Sequence, residues 1–140
     1  MITFQRESVE MPTFDFAKVE RWLGEVAAVY DRRIGNLNYL FCDDNEILKV
    51  NRQFLGHDYF TDIITFDYSH RDKVNGDIYV SLDTVRSNAM ELGEEYDKEL
   101  LRVIVHGLLH LCGIDDKGEG EREIMERNEE NALEIWRNLK

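Results

Sequence analysis

The chain predicts one α+β domain with helices packed on a small mixed sheet. Two observations carry this. Short runs rich in β-branched and aromatic residues alternate with segments whose apolar residues recur at helical spacing. The most apolar segment, Leu100 to Ile114, is itself helical in period and apolar on most sides, which places it at the centre of the packing. At 140 residues and 43% apolar content the chain is sized for one core. No repeat, linker or composition break divides residues 1–140 into a second domain.

Residues 2–5 predict a short first strand. From Phe14 to Tyr30, Phe16, Val19, Trp22, Leu23, Val26, Ala27 and Tyr30 fall on one helical face, with Thr13 and Asp15 as alternative caps. Asn36–Cys42 reads as a strand. Asp43 and Asp44 then cap a helix carrying Ile47, Leu48, Asn51 and Phe54 along one side. Ile63–Phe66 is a strand by composition, Asp67–Asn75 a polar turn region, and Gly76–Ser81 another strand. Ser81 or Asp83 starts a helix that reaches Leu92 and stops at Gly93. Asp97–Cys112 is the central helix. Glu121–Leu139 is a last amphipathic helix with Met125, Ala132, Ile135, Trp136 and Leu139 facing inward.

Composition narrows the function. A formal net charge of −12 argues against coating nucleic acid by bulk electrostatics, since that binding runs on Lys and Arg neutralising phosphates. It leaves room for an enzyme that holds a short stretch of backbone in one local groove. The two cysteines, Cys42 and Cys112, have no partner at metal-ligand spacing. The N-terminal segment has no apolar signal core, and the central apolar stretch is too short to span a bilayer. The expectation is therefore a soluble, cytoplasmic protein with reduced thiols and no membrane partner.

His106-Gly-Leu-Leu-His110-Leu-Cys-Gly-Ile-Asp-Asp116 carries the chemistry. Imidazoles four residues apart lie on one helix face, close enough to hold a single ion. Gly113 offers a helix stop, and the turn after it can return Asp115 or Asp116 as a third, oxygen ligand. Three protein ligands leave a coordination position for water, the mark of a catalytic rather than structural zinc site. Nickel suits the same donors. Cys112 points away from the histidine face. Zinc proteases of the His-Glu-x-x-His kind carry their general base directly after the first histidine, where this zincin-like helix has Gly107. A mid-helix glycine costs about 1 kcal/mol relative to Ala, so it signals close approach of another backbone or of a substrate.

The same segment resembles the signature H-G-x-L-H-L-x-G-[YF]-D-H of the YbeY family of bacterial endoribonucleases. Thr61-Asp-Ile-Ile-Thr-Phe66 is similar to that family's T-D-V-L-S-F strand. Gly76-Asp-Ile-Tyr-Val-Ser81 is similar to its G-D-I-x-I-S strand, and Leu48-x-x-Asn51-x-x-Phe54 to its L-N-x-x-Y helix. The resemblance implies a zinc-dependent, single-strand-specific endoribonuclease. Its expected work is maturing ribosomal RNA, the 3′ end of the small-subunit RNA above all, and ribosome quality control in the cytoplasm, with the small subunit or assembly factors as partners. By position it implies His106 and His110 as the first two metal ligands, with Asp116 where the family has a third histidine. Together they would act as catalytic residues through the ion and its water. The family's arginine, thought to hold RNA phosphate, falls on Leu55. His57, Arg52, Arg71 and Arg102 are the nearby basic side chains that could replace it, and Arg102 has the alternative of an ion pair with Glu95 or Glu99. Two other readings compete: a non-catalytic ribosome-assembly factor with a structural metal, and another metallohydrolase such as a peptidase.

Overall fold

The computed structural model describes residues 1–57 and 59–140. Four strands, β1 (Ile2–Arg6), β2 (Arg33–Cys42), β3 (Ile63–Asp67) and β4 (Lys73–Ser81), form one sheet in the order β1-β2-β4-β3. The β1–β2 and β2–β4 pairs are parallel and β3–β4 is antiparallel, so the sheet is mixed and β3 is an edge strand. Five helices accompany it: α1 (Phe16–Val29), α2 (Asp44–Val50), α3 (Leu82–Leu92), α4 (Tyr96–Leu111) and α5 (Glu121–Asn138). Among the described residues no helix is long and apolar enough to cross a membrane.

Helix starts follow local chemistry. Asp15 accepts from the Lys18 amide, so α1 begins at Phe16, with Asp15 rather than Thr13 as the cap. Asp43 caps α2 by accepting from the Glu46 amide, and Ser81 caps α3 by accepting from the Thr84 amide. Beyond α2 the chain widens into one π-type turn, Asn51–Leu55, closed by the Gly56 amide on the Asn51 carbonyl.

Two strands start earlier than their composition suggests. β3 and β4 form a hairpin whose turn shrinks to Arg71 and Asp72, because His70 and Lys73 exchange both backbone hydrogen bonds at 3.0 Å. Of the expected polar turn over 67–75, Asp67 and Lys73–Asn75 thus belong to the strands. Its polar residues are those of a hairpin end projecting from the sheet, where only Val74 is buried. β2 starts at Arg33, and its register with β4 is irregular between Ile34 and Leu37, where the Asn75 side chain accepts from the Asn36 amide at 2.7 Å.

The main core lies between α1, α4, α5 and one face of the sheet, with Trp22, Tyr39, Phe41, Leu100, Ile104 and Leu108 fully buried. A smaller cluster, Cys42, Ile47, Val50 and Ile64, forms under α2. Burying one such large apolar side chain contributes about 1.5–3 kcal/mol. The buried leucines and isoleucine of α4 therefore outweigh the roughly 1 kcal/mol that Gly107 costs. Gly107 has a packing reason: a Cβ there would lie 2.9 Å from Ile63 Cδ1 and 3.0 Å from Ile78 Cδ1. The close approach foreseen at this glycine is that of α4 to β3 and β4. The Tyr39 hydroxyl donates to the Ile104 carbonyl at 2.7 Å, fixing the turn of α4 just before His106.

Candidate metal centre

Helix α4 presents His106 and His110 on its one face that is not wholly buried, with ring centroids 4.5 Å apart and planes nearly perpendicular. The helix then ends by reversal. Gly113 takes φ +96°, its amide bonds the His110 carbonyl and the Ile114 amide bonds the Leu109 carbonyl, each at 3.0 Å. These are the two bonds of a Schellman cap. The turn sends the chain back along the histidine face. Asp116 Oδ2 lies 3.3 Å from His106 Nε2 and 3.4 Å from His110 Nε2. Asp115 is exposed, so Asp116 is the carboxylate brought to the imidazoles. Cys112 is buried in the main core and has no place in the cluster.

These three donors fit a metal. One atom from each lies within 4.8 Å of the others. Tetrahedral zinc with bonds of about 2.0–2.2 Å separates its donors by roughly 3.4 Å, close to both measured edges. Nitrogen and carboxylate donors are also the set that borderline divalent ions take. Among the described residues no fourth donor joins the group.

Glu129 of α5 is a partner the sequence reading passed over. Its Oε2 accepts from His106 Nδ1 at 2.5 Å, and its Oε1 accepts from Arg102 Nη1 at 3.1 Å. Arg102 in turn donates through Nε and Nη2 to Glu99, at 2.8 and 2.5 Å. Arg102 thus pairs with Glu99, as one expectation had it, and with Glu129 rather than Glu95. The signal was present: Met125, Glu129, Ala132 and Leu133 share one helical face, and a glutamate on an apolar stripe needs a partner.

The cluster opens into a cleft of about 600 Å³ walled by β3 and by the loop after the π-type turn. Leu55, His57 and Asp62 line it, whereas Arg52, Arg71 and His70 do not. Of His57, Arg52, Arg71 and Arg102, His57 is the one that reaches this wall. A second cleft of about 340 Å³ shares Asp62, His106 and Asp116, so the cluster stands between two openings. Burial pushes the Asp62 carboxyl above its ordinary range, against the pull of His106 and Arg102. Burial, with His106 beside it, holds the His110 imidazole below its usual value, against Asp116.

Fold and cluster together define an α+β protein whose central helix and following turn build a three-donor, metal-competent cleft. The chain belongs to the YbeY family, whose model, described as Endoribonuclease YbeY, matches residues 1–137. It is 57% identical over 135 residues to an Endoribonuclease YbeY of Phocaeicola vulgatus, covering 96% of this chain and 98% of the relative. It is 56% identical to one of Bacteroides thetaiotaomicron, covering 94% and 96%. The solution structure of a Thermotoga maritima protein matches with a TM-score of 0.65 and 31% identity, over 98% of this chain and 92% of that one.

Proposed function

We propose that this chain is a metal-dependent endoribonuclease that cuts single-stranded RNA. Its role would be in ribosomal RNA processing, including maturation of the small-subunit 3′ end, and in ribosome quality control. It would work in the cytoplasm, on the small subunit or with its assembly factors. The observation that carries the reading is the convergence of His106 Nε2, His110 Nε2 and Asp116 Oδ2 at the meeting of two clefts. The relatives named Endoribonuclease YbeY support the substrate class.

In this reading His106, His110 and Asp116 hold one zinc ion, nickel being compatible with the same donors. When bound, such an ion supplies Lewis acidity, acidifying water and drawing charge from a phosphoryl oxygen. The chain's own groups do the rest. Two imidazoles and one carboxylate leave a side of the cluster open to the cleft. β3, paired on one side only by β4, has backbone N–H groups along its outer edge that can donate to phosphate oxygens of the substrate. Openings on both sides of the cluster suit a cut within a chain, because polymer must continue past the site in both directions. A peptidase of the His-Glu-x-x-His kind is disfavoured, because Gly107 faces Ile63 and Ile78 and supplies no base. A structural zinc normally has four protein donors, and only three converge among the described residues.

The test pairs metal content with cleavage for the wild type and His110→Ala. Wild type is expected to hold about one zinc per chain and to cut single-stranded but not duplex RNA, with both properties lost in the variant. Undiminished cleavage by metal-free His110→Ala protein would refute the reading.

A further inference from the structure

We propose that Glu129 is a positioning residue for the metal cluster, and that Arg102, clamped by Glu99, is the group that aims it. The inference rests on the proposed function in one respect, that His106 is a ligand. Glu129 comes from a different helix, α5, and is only 3% exposed, while Glu99 is 1% exposed. Every contact of Glu129 is committed, one oxygen to the Arg102 guanidinium and the other to His106 Nδ1.

Two consequences follow from this arrangement. The first concerns the proton on the ring. An ionised carboxylate can only accept, so Nδ1 must be a nitrogen that carries hydrogen, and in the neutral ring Nε2 then keeps its lone pair. Nε2 is the atom that faces Asp116 and His110. Glu129 therefore selects the one tautomer of His106 that can ligate and locks the ring's orientation, as carboxylates behind metal-bound histidines do.

The second concerns charge. Glu99 and Glu129 are two buried carboxylates against one guanidinium, which leaves one negative charge in excess, directed at His106. A buried charge without a counter-charge is costly. A positive charge on the far nitrogen of the imidazole, a proton in the metal-free ring or a metal ion when one is bound, supplies the balance. The network is thus a negative base beneath the cluster, and it favours a cation at the site before any donor atom touches it. A brace that merely tied α4 to α5 would need neither the excess charge nor the second oxygen turned to the ring.

Glu129→Gln separates these roles, since it keeps the shape. Arg102 donates only, so the amide carbonyl must face it, and the amide nitrogen must then face His106. That reverses the demand on the ring: Nδ1 becomes the acceptor and Nε2 carries the hydrogen. The experiment measures zinc affinity by competition with a chelating dye, together with nitrogen-15 shifts of the His106 ring in metal-free protein. Metal-free melting of each variant checks the fold. Glu129→Gln is expected to bind zinc roughly 10- to 100-fold more weakly, with the ring hydrogen moved from Nδ1 to Nε2. Arg102→Lys, which keeps the charge and loses the fork, serves as the second variant. It is expected to weaken zinc severalfold with the tautomer unchanged. Folded Glu129→Gln protein that binds zinc like wild type with the wild-type tautomer overturns the proposal. So does wild-type affinity in Arg102→Lys, for the part assigned to Arg102. Wild-type protein that binds no zinc at all would instead bring down the proposed function, and this inference with it.

Discussion

In the proposed reading Asp116 takes the place of the third histidine that the resemblance implies, and such an exchange alters charge more than reach. A carboxylate and an imidazole both ligate zinc at about 2.0–2.2 Å. The carboxylate adds a negative charge that a neutral ring would not. Asp116→His is therefore expected to keep zinc in equilibrium dialysis. Asp116→Ala is expected to lose roughly 100- to 1,000-fold in affinity, the share of one of four donors in a structural-site binding energy of about 10–16 kcal/mol. Wild-type retention by the alanine variant would move the third donor elsewhere. Leu55, where the resemblance implies an arginine, is 43% exposed and lines the cleft. Leu55→Arg is expected to tighten single-stranded RNA binding. It should also steepen the slope of log affinity against log salt by about 0.7, one phosphate contact on a single strand. A titration series at several ionic strengths reads both.

At the scale of elements, two glycines hold α4 in its place. Gly107→Ala gains about 1 kcal/mol of helix propensity but pushes a Cβ against Ile63 and Ile78, and overpacking of that kind costs about 1–3 kcal/mol. The crowding wins, so the melting midpoint should fall, and a rise would show that the contact is slack. Gly113→Ala forces a side chain into the left-handed region at a cost of about 1–2 kcal/mol. Because the same turn carries Asp116, zinc affinity should fall with stability, whereas an alanine at exposed Gly24, where a Cβ meets nothing within 4 Å, should leave the metal untouched. Much at this scale was legible. The α4 helix, its stop at Gly113 and the Ser81 cap follow from period and cap chemistry that lie within a few residues. The extension of β4 back to Lys73 was not, because Lys73 and Asn75 are polar around a single buried Val74 and the register there is set by β2, which pairs with β4 across about forty positions of sequence.

For the molecule as a whole, the net charge of −12 sets how RNA must be held. Contacts confined to one cleft imply a shallow dependence of affinity on salt, far from the steep loss of a basic coat. A slope equivalent to six or more phosphates would contradict a local grip. Burial also gives the fold an alkaline weakness. The Cys42 thiol is pushed up to about 12 from 9.0, and the Tyr39 hydroxyl is raised too. The unfolded chain gives up the thiol proton first, so stability is full below about pH 9 and falls as pH climbs toward 12. Denaturant midpoints measured across that range should decline. The same burial predicts that Cys42 resists iodoacetamide at pH 8 in the native state and reacts in guanidinium, since the thiolate is the nucleophile.

The network behind His106 marks where sequence reading ran out. Glu129 and His106 are twenty-three residues apart, and only the packing of α4 on α5 brings them together. By contrast the three proposed donors themselves fall within eleven residues of chain. An unfolded polypeptide keeps donors that near to one another at high effective concentration, so it retains some grip on the ion. Ion binding to the denatured ensemble subtracts from what the ion gives the native state. Zinc should therefore raise the melting temperature by less than its native affinity alone implies. The ion would also find its ligands on a chain not yet folded, ahead of the packing of α5 that brings Glu129 behind His106.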